Sequence, residues 1–221
     1  MPVFNSRNIA EPEVKSRLCG LAAIVKFHKD KVARCYVCCM GRRTGFEHLL
    51  CYCGETGNEL VRHSDRAPDR VGLPKRHLIR AKSRGGRLVI HHNHPQDMSL
   101  SLVDILHLVS RPGMMQLFAH GHDGSWYWAE SHRRRDGHDM VLHGANALVK
   151  AYRQLAARGS PLREELAPHL LNLALDYSGI IMYKFQLGQS MITSVASVSE
   201  DRKNWLLDCV KEAIRKERQI S

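Results

Sequence analysis

The residues best suited to do chemistry are His92, His94 and Asp104, which lie close together in the chain. The segment Leu88–His94 follows a turn-like, glycine-rich stretch and begins with three apolar residues, a pattern typical of a buried strand. Alternate residues of a strand share a face, so Ile90, His92 and His94 are predicted to point the same way. Two imidazoles at this spacing can bind one metal ion.

Asp104 follows after a short loop and could reach the same ion. The apolar run Ile105–Val109 indicates a helix, and Asp104 would lie in its first turn, three residues after Ser101. Two histidine nitrogens and one carboxylate leave the fourth position of a tetrahedral Zn²⁺ open, which is the pattern of catalytic zinc sites. The sequence therefore predicts a catalytic metal centre.

Each part of this pattern also has a simpler interpretation. Ser101 and Asp104 ahead of an apolar run match a helix capping box, with aspartate in place of the usual glutamate. The two histidines could be the polar end of a strand in a chain that contains 14 histidines. Neither interpretation explains why the two patterns occur together on a strand, a loop and a helix, so the metal site is the favoured prediction.

The combination His92-x-His94-Pro95 followed by Ser101-x-x-Asp104 resembles the signature of the JAMM (MPN+) metalloprotease superfamily, and is most similar to its bacterial, RadC-like branches. The resemblance covers roughly residues 46–130. It implies an α+β fold with a mixed β-sheet flanked by helices, a Zn²⁺ ion held by His92, His94 and Asp104, and hydrolysis of a peptide or isopeptide bond. The substrate would be a peptide or a protein, ubiquitin-like proteins included.

The resemblance also requires a glutamate on an earlier strand, as the general base. Residues 45–53 and 58–62 are predicted to form a strand hairpin around a turn at 54–57. Glu47 is the best candidate because it starts the first strand; Glu59 on the return strand and Glu55 in the turn are the alternatives. A general base must be held rigidly within reach of the water. The family pattern further implies that Ser101 donates a hydrogen bond to the oxyanion.

The whole chain is predicted to consist of a catalytic domain, residues 1–137, and a helical C-terminal extension, residues 138–221. A weak helix is expected at 14–30, and short apolar runs predict strands at 35–40, 114–120 and 125–130. Helices are predicted at 76–83, at 140–158, from Pro161 to about 177, and from 199 onwards; the segment 180–187 is compatible with strand or helix. His120 and His122 are interpreted as solvent-facing residues of the turn at 121–124.

The seven cysteines leave a second metal site open. Cys35 and Cys38, with Cys51 and Cys53, could offer four thiolates to a structural zinc ion. The favoured alternative is reduced thiols packed along strands.

The net charge of +11 favours an acidic partner. No apolar run is long enough to span a membrane, and the N-terminal residues lack the apolar segment of a secretory signal, so a cytoplasmic protein is expected. Two further hypotheses follow: an HNH-like nuclease or RadC-like protein acting around DNA, and a non-catalytic MPN scaffold. An ion held jointly by His92, His94 and Asp104 would favour the hydrolase over the nuclease.

The charge predicts weak binding to DNA or RNA of any sequence. Binding should weaken steeply as salt rises from 50 to 200 mM, because it depends on the release of counterions from the phosphates. Titration of a labelled oligonucleotide at several salt concentrations measures this slope. Tight, sequence-selective binding at physiological salt, or plasmid cleavage that His92→Ala abolishes, would instead favour the DNA-directed hypothesis.

Overall fold

The computed structural model describes residues 29–132, 136–159 and 162–220. These residues form an α+β fold in which one mixed sheet of six strands is flanked by helices. The strands are β1 (Leu49–Cys53), β2 (Glu59–His63), β3 (Leu88–His94), β4 (Met114–Gly121), β5 (Trp126–Ser131) and β6 (Ile181–Gln186). The helices are α1 (29–44), α2 (Lys75–Lys82), α3 (Leu102–Ser110), α4 (Gly137–Ala157), α5 (Leu166–Tyr177), α6 (Gln189–Ala196) and α7 (Glu200–Ile220).

Strand β3 lies in the middle of the sheet, whose order is β2-β1-β3-β4-β5-β6. It pairs antiparallel with β1 and parallel with β4, and all seven of its residues are buried. The parallel pairing requires a crossover, and α3 supplies it. The crossover brings the start of α3 close to the carboxyl end of β3, which carries the two histidines.

Apolar side chains cover both faces of the sheet. The larger core lies on the face that packs against α3, α4, α5 and α7, and includes Leu88 and Ile90 of β3. On the other face, Val89 packs in a smaller cluster with Ala33 and Val37 of α1.

The strand predicted for residues 35–40 was wrong, because this segment is part of α1. Ala33 and Val37 are fully buried and lie one helical turn apart, so a single stripe of the helix packs on the sheet. Within the run that suggested a strand, Val37 and Cys38 are buried, whereas Cys35 and Cys39 are exposed on the far side of the helix.

Most of the other predicted elements are confirmed. The hairpins β1–β2 and β4–β5 and the helices α2, α3, α4 and α7 lie where the pattern placed them. The ambiguous segment 180–187 is a strand, and α6 was not predicted. Helix α5 begins only at Leu166; Pro161 and residues 14–28 lie outside the described residues. No helix of the described part of the chain has the length and apolar character to cross a membrane.

The segment after residue 137 contributes more than helices. Strand β6 pairs with β5 and extends the sheet. The hydroxyl of Tyr183, in β6, lies 2.7 Å from Ser99 Oγ, and Asn172 of α5 donates to Ser99 Oγ (3.0 Å) and to the Leu100 carbonyl (2.9 Å). These buried bonds fix the loop that joins β3 to α3, so the C-terminal segment helps to set the position of the predicted metal ligands.

The contacts of Asn172 predict a stability cost when its amide is removed. Asn172→Ala would leave the Leu100 carbonyl without this donor in a buried site, so we expect the free energy of unfolding to fall by about 1–3 kcal/mol. Urea unfolding followed by circular dichroism measures the change. Asn204→Ala, at an exposed position of α7, is the matched control and should change stability by less than about 0.5 kcal/mol. Equal stability of both variants would contradict the role assigned to this amide.

Candidate metal centre

Three ligand atoms converge at the carboxyl end of β3. The Nε2 atoms of His92 and His94 lie 2.8 Å apart, and Asp104 Oδ2 lies 3.6 Å from the first and 3.5 Å from the second. Zinc bound tetrahedrally to nitrogen and oxygen at 2.0–2.2 Å places its ligand atoms about 3.3–3.6 Å apart. The three observed separations match this spacing to within about half an ångström, so the donor set fits a zinc ion. The predicted ligands are thus brought together.

The strand and the following loop orient the two imidazoles. His92 is opposite Leu49 of β1 and Ala119 of β4, and both histidines are buried. His94 Nδ1 lies 2.9 Å from the carbonyl oxygen of Met98, to which it can donate. A donated bond there leaves Nε2 as the ligating nitrogen, the arrangement found in most histidine–metal sites.

Asp104 combines the two roles that the sequence left as alternatives. The Ser101 side chain accepts a hydrogen bond from the Asp104 amide, and Asp104 Oδ2 accepts from the Ser101 amide at 2.9 Å, which completes a capping box. The same Oδ2 faces both histidines. Capping fixes the rotamer that points the Asp104 carboxylate at the imidazoles. The capping box and the predicted metal ligand are therefore compatible with one conformation of this side chain.

The hydroxyl of Ser101 also donates to Asp104 Oδ2, at 2.7 Å. A serine hydroxyl has a single proton to donate. In this structure the proton serves to orient the carboxylate, so Ser101 is a positioning residue here, and the oxyanion role that the resemblance implies remains a prediction.

The charged groups of the site shift one another's pKa values. Burial raises the pKa of Asp104, but the charge of His92 and the nearby nitrogens of both histidines outweigh it and hold that pKa well below its ordinary value. Burial lowers the pKa of His94, but Asp104, with a smaller effect of Glu47, raises it further, to about 9. Asp104 is therefore ionised and paired with a protonated His94, and a bound metal would take the place of that proton.

Glu47 is a buried carboxyl beside this centre, with a relative exposure of 7%. Burial raises its pKa, while His92 and His94 lower it and Asp104 raises it, so its charge is coupled to all three ligands. The prediction that Glu47 lies on a strand was wrong: it is in the coil two residues before β1 begins at Leu49. Its amide donates to the Ala67 carbonyl at 2.8 Å, and Ser64 Oγ donates to its carbonyl at 2.7 Å. The polar segment after β2 therefore holds the coil where strand pairing stops.

Asn93, between the two histidines, was not predicted to have a role at the site. Its Oδ1 accepts from the His48 amide at 2.7 Å, and its Nδ2 donates to the Phe46 carbonyl at 3.2 Å. The side-chain amide of Asn93, on the strand that carries the histidines, thus hydrogen-bonds to the backbone on both sides of Glu47. The sequence contained one indication of this role. Asn93 alternates with His92 and His94 on a strand that was predicted to be buried, and a buried polar side chain needs hydrogen-bond partners.

The two alternative glutamates lie away from the centre. Glu55 is exposed in the turn, and Glu59 is exposed and paired with Arg62 at 2.8 Å. The prediction of a solvent-facing His120 was wrong, since it is buried and stacked on His91, beneath α1. His122 is partly buried, and its Nε2 lies 3.2 Å from Asn93 Nδ2.

The four cysteines considered for a second zinc site are divided between α1 and β1. Cys35 is exposed, while Cys38 Sγ contacts the Gly121 carbonyl. Within the described residues, the one histidine, cysteine and carboxylate cluster with metal-binding geometry is His92, His94 and Asp104. Comparison with protein-family models, with curated proteins and with solved structures found no match to this chain.

The geometry predicts one equivalent of tightly bound zinc. A His92→Ala/His94→Ala variant should lose it, because two of the three ligand atoms disappear, and Asp104→Ala should weaken it strongly. Elemental analysis after dialysis measures the zinc content, and circular dichroism checks the fold. His138→Ala/His143→Ala, which removes two half-exposed histidines of α4, is the matched control and should keep its zinc. Equal zinc content in all variants would rule out this centre.

Proposed function

We propose that this protein is a zinc-dependent hydrolase of the JAMM type that cleaves a peptide or isopeptide bond. The proposal rests mainly on the convergence of His92 Nε2, His94 Nε2 and Asp104 Oδ2 at the carboxyl end of β3, with the buried carboxyl of Glu47 electrostatically coupled to them. Three protein ligands and a neighbouring carboxyl are what a hydrolytic zinc site needs. The mixed sheet flanked by helices agrees with the JAMM-type fold at the coarse level.

The metal-binding residues and Glu47 would have different roles in the reaction. Zinc held by His92, His94 and Asp104 would supply Lewis acidity, which makes water a nucleophile at neutral pH and polarises an amide carbonyl. Glu47 would accept the proton of the attacking water and deliver it to the leaving amine. Burial and the opposing charges around Glu47 suit this exchange, because a general base works best when its pKa is moved from its ordinary value towards the working pH.

Several neighbours would keep these groups in place. Ser101 orients Asp104, the Met98 carbonyl orients His94, and Asn93 holds the backbone on both sides of Glu47. A displacement of about 1 Å at such a site can reduce the rate a hundredfold. The three supports therefore matter for turnover.

A nucleic-acid substrate is the second candidate, and the net charge of +11 favours it. The arrangement of the ligands argues against an HNH-like nuclease, because the histidines lie two apart on one strand and the third ligand opens the crossover helix. The convergence of donor atoms from His92, His94 and Asp104 supports the hydrolase. The intact ligand set also argues against a purely structural MPN scaffold.

The proposed mechanism predicts that Glu47→Gln separates metal binding from chemistry. Glutamine keeps the size of the side chain but cannot accept the proton, so the rate should fall by about 10²–10⁴-fold while the zinc content is unchanged. Hydrolysis of a mixed peptide pool and of lysine-linked isopeptides, followed by mass spectrometry, measures the rate.

Glu59→Gln is the matched control, since Glu59 is an exposed carboxylate paired with Arg62. It should retain nearly full activity. A fully active Glu47→Gln enzyme would contradict the mechanism, and loss of zinc in that variant would show that the glutamate is a ligand and not the base.

A further inference from the structure

An apolar pocket opens directly beside the candidate metal centre. Its volume is about 140 Å³, and His92 and Asp104 form part of its wall. Leu49, Leu73 and Leu117 line the adjoining surface. A cavity of about 150 Å³ lined by apolar residues holds a molecule the size of benzene, so this pocket can take one aliphatic side chain or a short alkyl segment.

A positively charged side chain, that of Arg111, lines the same wall of the pocket. Arg111, the C-cap residue of α3, lines the pocket with Asp104 and His107, which are spaced at three and four residues along one face of the helix. Arg111 follows Asp104 by seven positions, which corresponds to about 10 Å along the helix axis. The wall therefore leads from the metal ligands to a guanidinium group.

Arg111 has no anionic partner among the residues that the structure describes. Neither a salt bridge nor a side-chain hydrogen bond joins its guanidinium to any group in the ranges 29–132, 136–159 and 162–220. The group is half-buried, and burial lowers its pKa. A partly desolvated cation without a counter-ion is unfavourable, and an anionic ligand would relieve this.

We propose that the pocket selects amide substrates in which an aliphatic group next to the scissile bond is followed by a carboxylate that binds Arg111. This inference rests on the proposed function and names the substrate class of the same site. The amide carbonyl would lie at His92 and Asp104, the aliphatic group against the leucines, and the carboxylate about two helical turns away. A peptide with a leucine-sized residue at the cleavage site and an acidic group beyond it meets these requirements.

Hydroxamates test the pocket without relying on turnover, because the hydroxamate group chelates zinc whatever is attached to it. Suberic acid monohydroxamate carries an alkyl chain that ends in a carboxylate, whereas octanohydroxamate has the same number of carbons and a neutral end. Acetohydroxamate has no chain and reports on the metal alone. Binding of all three to the zinc-loaded full chain is measured by isothermal titration calorimetry.

We expect suberic acid monohydroxamate to bind about tenfold more tightly than octanohydroxamate, since a hydrogen bond to a charged group contributes at least that much. Arg111→Gln should abolish this preference and leave acetohydroxamate binding unchanged. Arg84→Gln, which removes an exposed arginine that does not line the pocket, is the matched control and should keep the preference. Val71→Trp, in the half-buried loop wall, should weaken both long probes and spare acetohydroxamate.

The outcomes separate the two proposals. If acetohydroxamate binds but the carboxylate preference is missing, or persists in Arg111→Gln, the pocket inference is overturned and the metal centre stands. If zinc is not retained or acetohydroxamate does not bind the loaded protein, the proposed function fails and the pocket inference fails with it.

Discussion

The candidate site depends on one partly buried carboxylate that faces two buried imidazoles. A carboxylate is costly to bury unless it is paired and hydrogen-bonded. Asp104 meets both conditions: its Oδ2 accepts from the amide and the hydroxyl of Ser101 and lies within 3.6 Å of both histidines. The start of α3 is thereby fixed against the end of β3, and this contact ties the local capping of a helix to the chemistry proposed for the site.

The two faces of β3 contribute differently to this arrangement. His92 and His94 point to the face where the crossover helix begins, while Asn93 turns to the other side and binds the backbone around Glu47. One strand thus positions the ligands directly and the buried glutamate indirectly. A change of register by a single residue would exchange the two sets and remove both functions.

The C-terminal segment is part of the same structural unit as the site. Tyr183 and Asn172 hold Ser99 and Leu100, which lie in the loop between the second histidine and Ser101. The main core on this face of the sheet runs without interruption from Leu88 and Ile90 to the apolar residues of α4, α5 and α7. The geometry of the candidate metal ligands consequently depends on packing far along the chain, although all three residues come from a short stretch of sequence.

What the sequence determined by itself was local. The alternation in Leu88–His94 and the apolar run after Ser101 were sufficient to predict the strand, the helix and the convergence of His92, His94 and Asp104, because the periodicity of a strand and the capping of a helix depend on near neighbours. Tertiary structure decided the rest. Residues 35–40 form helix because a helix covers the second face of the sheet, and Glu47 lies in coil because Ala67 and Ser64 hold it there. The partners of Asn93, the burial of His120 and the pocket that ends at Arg111 arise from segments distant in sequence, and no local pattern encodes such contacts.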